Sequence, residues 1–179
     1  MTKYLGVIPA FDVFCLRKIN SMPILYWSIK YARESKKMSN FIVLTNNREV
    51  ERFVNSCEEN VVKILERDFL KELSKIYKDA NIVLLNPLIP IRLGGIIDVC
   101  INVFEKEKSA SLITGFVDEN KKFNKTRCVV VYDTKRILNE SKDKKDIKYI
   151  VPEVYNFKCR TELELICVDG IMKHLGIRL

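Results

Sequence analysis

The chain has 179 residues, 47% of them hydrophobic and 30% charged, which suits one packed domain and excludes wholesale disorder. A formal net charge of +8 would attract phosphates or nucleic acid. The lysines are scattered, however, many beside a Glu or Asp, and no basic-aromatic module accompanies them, so nucleic acid is not an expected partner.

Residues 4–9 read as a short apolar strand closing at Pro9-Ala10, and residues 11–21, which hold no sustained period, are expected as loop. Pro23 suits the first turn of a helix running to about Ser35, with Ile24, Trp27 and Tyr31 at spacings of three and four. Residues 40–45 form a second strand. Asn46 or Asn47 is placed to cap a helix whose Val50, Phe53, Val54 and Cys57 make one stripe. Residues 61–65 give a third strand, and Phe69, Leu70, Leu73, Ile76 and Tyr77 a third helix. The stretch 82–92 begins as a continuous apolar run, the mark of a central strand covered on both faces. Pro87 and Pro90 stop it, and Arg92 leaves the loop as a lone cation, facing a ligand or pairing with a carboxylate. Ile97, Cys100, Ile101 and Phe104 then mark a fourth helix.

Residues 111–116 and 127–132 read as two further strands, with hydrophilic residues 118–125 between them. Residues 142–146 are expected as a mixed-charge surface loop. Thr161 and Glu164 predict a capping box for a last helix that turns Leu165, Val168, Met172 and Leu175 inward, with His174 a cation at its negative end. Four strand–helix alternations predict an α/β fold: three layers, α/β/α, with a mostly parallel sheet in a single domain, 1–179. Ligands of such sheets sit beyond the carboxyl ends of the strands. Gly94-Gly95 lacks the context of a Rossmann or P-loop fingerprint. The six cysteines make no CxxC pair and several lie in apolar runs, so they are expected reduced, in the cytoplasm, with no zinc site. No apolar run approaches about 18 residues, so no membrane span is expected.

The order of these segments resembles one family, the cytidylyltransferases that make CMP-activated sialic acid and related sugar acids. Their first strand ends in Ile-Pro-Ala-Arg-Gly-Gly-Ser-Lys, and a Lys-Asn precedes a helix entered through Lys-Pro-Leu. Here stand Ile8-Pro9-Ala10, then Lys18 and Asn20, then Met22-Pro23-Ile24. Their Leu-Gln-Pro-Thr-Ser-Pro-Leu-Arg is similar to Leu85-Asn86-Pro87-Leu88-Ile89-Pro90-Ile91-Arg92, followed by Ile97-Asp98. The resemblance implies a nucleotide-diphospho-sugar transferase-like (Rossmann-like) fold and a site built from Ala10, Asp12, Lys18, Asn20, Asn86, Arg92, Lys158 and Arg160. It also implies CTP, CMP or a sugar acid as ligand and a homodimer, although 118–149 reads as a shortened version of the segment through which relatives pair.

In that family a sugar hydroxyl attacks the α-phosphate of CTP and pyrophosphate leaves, so charge grows on phosphate oxygens and must be met by cations, N–H groups and Mg²⁺. The glycine cradle is replaced here by Phe11, Asp12, Val13, Phe14 and Cys15. The magnesium-holding Asp-Ile-Asp-Thr corresponds to Lys158-Cys159-Arg160-Thr161, and the Thr-Ser pair to Leu88-Ile89. Asp12 serves as a turn former or a substitute ligand, while Lys158 and Arg160 could bind phosphate without metal. The expectation is a cytidylyltransferase relative with lost or strongly reduced transfer, no catalytic residue and no metal site. The alternatives are an active enzyme with relocated residues, using Mg²⁺, and a scaffold binding a protein partner or nucleic acid.

Overall fold

A computed structural model describes residues 3–64, 66–138 and 146–178. Among the described residues, strands β1 (Lys3–Pro9), β2 (Lys18–Ile19), β3 (Met22–Pro23), β4 (Asn40–Leu44), β5 (Val61–Val62), β6 (Ala80–Leu85), β7 (Ser111–Val117), β8 (Phe123–Tyr132) and β9 (Asp146–Ile150) are interspersed with six α-helices. These are α1 (Ile24–Glu34), α2 (Arg48–Ser56), α3 (Phe69–Ile76), α4 (Ile96–Glu107), α5 (Thr134–Leu138) and α6 (Glu162–His174). The main sheet runs β5-β4-β1-β6-β8-β7-β9. Among the described strands of this sheet only β8 is antiparallel to its neighbours, so the sheet is mostly parallel as expected.

Alternation of side chains across the central strands builds a core on each face. Ile8, Val43, Val83 and Leu85 face one core, which is shared with Val50 of α2, the buried stripes of α1 and α4, and Leu165, Val168 and Met172 of α6. Val7, Ile42, Leu44 and Ile82 face the other, with Leu73 of α3. Both faces of β6 are therefore covered, the reason its sequence is an unbroken apolar run.

The caps follow their residue types. Asn47 Oδ1 accepts from the N–H groups of Glu49 and Val50, and Thr161 and Glu164 form the capping box of α6. Three expectations are corrected. Residues 11–21 are ordered by a 3₁₀ turn, Val13–Leu16, and by the β2–β3 ribbon, because Asp12 Oδ1 takes the Phe14 N–H while Cys15 and Ile19 bury. Leu175 is 43% exposed, since α6 has ended before it can turn inward. The hydrophilic stretch stops at Lys122, and β8 begins at Phe123. The stretch 118–149 holds β8 at the interior of the sheet and opens into β9 at its edge; residues 142–145 lie outside the described residues.

Candidate functional site

The chain leaves β1 toward β4 and β5 on one side, then returns to lay β6 on the other. The carboxyl ends of β1 and β6 thus flank a switch point, the place where open α/β sheets leave a crevice. A hollow of about 400 Å³ opens there, bordered by Pro9, Phe11 and Asp12 after β1 and by Asn86, Pro87 and Leu88 after β6. Its apolar wall comes from Phe69 and Leu70 of α3, Leu84 of β6, and Val130 and Tyr132 of β8. Charge enters through Asp12, Glu66 and Arg127.

Arg92 does not face this hollow. It is 1% exposed, and its guanidinium donates to the carbonyls of Ile89 (2.5 Å), Asn86 (2.5 Å) and Cys128 (3.2 Å) and to Ser28 Oγ (3.0 Å). Two prolines leave a loop whose carbonyls lack ladder donors, and one planar fork supplies them. Burial pushes its pKa down from the ordinary arginine value. Both expected roles, ligand contact and surface ion pair, are therefore corrected: Arg92 ties the loop after β6 to β8 from inside.

At the β8 end of that tie the ladder is broken. Ile113 pairs with Val130 and Gly115 with Lys125, so four residues of β8 stand opposite Thr114 alone. Side chains stitch this bulge: Thr114 Oγ1 accepts the Val129 N–H (3.0 Å), and Thr126 Oγ1 donates to the Thr114 carbonyl (3.2 Å). Arg127 sits inside the bulge at φ +56°, a conformation unusual for a side chain of its size, and borders the hollow. The sequence reading missed Arg127; the Lys-Thr-Arg-Cys polar break before the valine run was the available signal.

The segment before α6 reaches the same loop. Tyr155 Oη accepts the Leu93 N–H (3.1 Å) and donates to the Leu93 carbonyl (2.9 Å), and the Cys159 N–H donates to the Leu88 carbonyl (2.8 Å). Cys159 is buried while Lys158 and Arg160 flank it outward. Burial, together with the nearby charges of Arg160 and Arg127, pushes the Lys158 pKa down.

The other expected site residues divide. Asn86 borders the hollow, but its Oδ1 accepts the Leu88 N–H and shapes the turn. Asp12 likewise borders it as a turn former. Ala10 is fully buried and gives its N–H to the Leu44 carbonyl, so its side chain meets no ligand. Lys18 and Asn20 belong to a different groove against α6, beside Asp169 and Lys173. Asn20 is structural there: its N–H donates to Asp169 (2.7 Å) and its side chain to the Ile177 carbonyl (2.6 Å).

The Lys173 ammonium, and then the Asn20 N–H, hold the Asp169 carboxyl below the usual carboxylate range. A depressed folded pKa stabilises above the unfolded value near about 3.9, and that contribution is lost as pH falls through the folded pKa. Urea midpoints measured from about pH 6 to about pH 3 should accordingly fall less steeply in Asp169→Asn than in the parent.

Magnesium fits the described residues poorly. Asp12 is committed to the Phe14 N–H, the segment before α6 presents cations, and no three His, Cys, Asp or Glu side chains come together among the described residues.

The sequence matches no family model and no curated protein. Solved structures do match. The 4-diphosphocytidyl-2C-methyl-D-erythritol synthase of Anaerococcus prevotii DSM 20548 superposes with a TM-score of 0.76 at 13% identity, over 96% of this chain and 98% of that one. CMP:2-keto-3-deoxy-manno-octonic acid synthetase, solved with CTP, gives 0.72 at 11% identity, over 97% and 99%. Rv0371c of Mycobacterium tuberculosis H37Rv gives 0.71 at 14%, over 94% and 98%. What they share is the fold. That shared fold is the α/β, nucleotide-diphospho-sugar transferase-like architecture expected from the sequence. No helix among the described residues is long and apolar enough to cross a membrane.

Proposed function

We propose that this chain is a cytidylyltransferase relative that binds a nucleotide in the hollow between the ends of β1 and β6, with transfer of the cytidylyl group to a sugar acid lost or strongly reduced. The observation that carries this reading is the site's composition at the switch point. The apolar wall of Phe69, Leu70 and Leu84 can receive a base or sugar face, and Arg127 stands at the border as an anion partner. The neighbours of similar fold include one solved with CTP, which supports a nucleotide as the ligand class.

Loss of turnover is supported by what surrounds the hollow. Phe11 and the 3₁₀ turn occupy the loop after β1, where the family resemblance calls for glycines that let backbone N–H groups approach a triphosphate. The carboxylates that would bring a divalent ion are replaced by Lys158 and Arg160. If each missing phosphate or oxyanion contact lowers the rate about 10²- to 10³-fold, three or more absent together leave little of the reaction.

The test is to titrate the protein with CTP by calorimetry and, separately, to assay pyrophosphate release from CTP and Mg²⁺ with a panel of sugar acids including sialic acid. CTP binding with release at background is expected. Turnover at ordinary enzyme rates, about 1 s⁻¹ or faster, would overturn the loss of catalysis. Absence of any CTP or cytidine binding would overturn the ligand.

A further inference from the structure

We propose that Arg127, Lys158 and Arg160 form a metal-independent clamp for the polyphosphate tail of the ligand, standing where a magnesium-dependent site would place carboxylates. The proposal rests on the nucleotide reading above and goes past it by naming what holds the anionic end.

The three cations come from two segments fixed to one loop. The Cys159 N–H, between Lys158 and Arg160, is bonded to the Leu88 carbonyl at 2.8 Å, and Leu88 borders the hollow. Arg127 borders the same hollow, and the carbonyl of its neighbour Cys128 is held by Arg92, which also holds Asn86 and Ile89. The backbone at all three cations is thus tied to that loop by the fully buried guanidinium and by backbone bonds, while of the three side chains Arg127 is the one that borders the hollow itself. In extended chain, alternate residues share a face, so burial of Cys159 turns Lys158 and Arg160 to the same side.

Arg17, Arg33, Lys37, Lys63 and Lys173 each form an ion pair with a carboxylate, whereas none of the three cationic side chains does among the described residues. The neighbouring carboxylate, Glu164, is engaged by the backbone N–H groups of Arg160 (2.7 Å) and Thr161 (3.0 Å) in the cap of α6. Lys158 is moreover half-buried, and like charges brought together in partial burial are costly unless an anion joins them. Arg127 adds a left-handed backbone maintained by the Thr114–Thr126 stitching, a strain the surrounding structure holds in place.

The layout also orients the ligand. Asp12 and Glu66 border the hollow from the β1 and α3 side, and β8 lies two strands away from β1, about 10 Å across the sheet. A phosphate chain is repelled at the first side and attracted at the second, so the apolar part of the ligand lies along α3 and the tail reaches β8. Mg²⁺ bound to the phosphates would neutralise the charge the clamp needs, so added Mg²⁺ weakens binding where in an ordinary site it would strengthen it.

The experiment is calorimetry of the full chain with inorganic tripolyphosphate, CTP and cytidine, in EDTA and again in excess Mg²⁺. It is repeated with Lys158→Gln/Arg160→Gln and with Arg127→Gly, which tolerates the left-handed backbone. Tripolyphosphate should bind in EDTA, CTP should bind more tightly than cytidine, and Mg²⁺ should weaken both phosphate ligands. Each charge-removing variant should weaken them about tenfold or more, through loss of charged hydrogen bonds, with cytidine affinity unchanged and the urea midpoint no lower than the parent's. Failure of tripolyphosphate to bind without Mg²⁺, or equal affinities for CTP and cytidine, overturns the clamp even if cytidine still binds. Tripolyphosphate binding with no cytidine or CTP binding supports the clamp and sinks the nucleotide reading instead.

Discussion

Replacing Arg92 by methionine should lower the unfolding free energy by about 3–5 kcal/mol, the scale expected when several buried acceptors lose a shared charged donor. Methionine fills much of the volume but donates nothing. The carbonyls of Ile89, Asn86 and Cys128 would then be buried with lost donors, at about 1–3 kcal/mol each. Two effects reduce the sum: the guanidinium's own desolvation is relieved, and Ser28 Oγ still offers the Asn86 carbonyl a long 3.4 Å bond. Lysine should not rescue, because a single ammonium cannot reach acceptors on three sides as a planar fork does. Urea unfolding of both variants decides the matter. A loss below about 1 kcal/mol in Arg92→Met would mean the proline loop finds other donors and that Arg92 does not set the site.

Gly115→Ala should cost about 3 kcal/mol, the upper end for inserting a methyl into a packed interior. A Cβ built at Gly115 would lie 2.3 Å from the Asn124 carbonyl oxygen and 2.4 Å from the Phe123 ring. The first obstacle is backbone of the strand that carries the bulge, so relief requires β8 to move away from β7. Because Arg127 lies two residues past the Gly115↔Lys125 pair, this variant should also weaken tripolyphosphate binding, although position 115 does not border the hollow. An Ala variant as stable as the parent by urea unfolding would show that the bulge is looser than its hydrogen bonds imply.

Much of this fold was legible from residue pattern because the parallel half of the sheet is buried on both faces and leaves unbroken apolar runs such as 82–85. The caps at Asn47 and Thr161 were legible because capping needs a short polar side chain at one place only. β9 was not, since Asp-Ile-Lys-Tyr-Ile has one half-buried face and follows a charged stretch that reads as loop. α5 is five residues long, too short for a helical period to register. Among the expected site residues, Asp12 and Asn86 border the hollow because each follows a strand end, while Lys158 and Arg160 flank Cys159, whose N–H is bonded to Leu88 of the loop after β6. Arg92 was misread because a cation leaving an apolar loop is usually solvated, and nothing local says that three carbonyls will fold back around it. Arg127 went unseen because a bulge is a property of two strands together, and only the pairing with β7 reveals that β8 carries extra residues.

The central claim is that a nucleotide occupies the hollow at the switch point, and methyl NMR of leucine-labelled protein titrated with CTP in EDTA tests it most directly. Leu70, Leu84 and Leu88 border the hollow, whereas Leu175 is 43% exposed at the C-terminal end of α6 and Leu112 is buried in β7. Saturable shifts at the first three, with Leu112 and Leu175 unmoved, are the predicted result. Unmoved signals at Leu70, Leu84 and Leu88 at millimolar CTP, or shifts centred on Leu175, would contradict it.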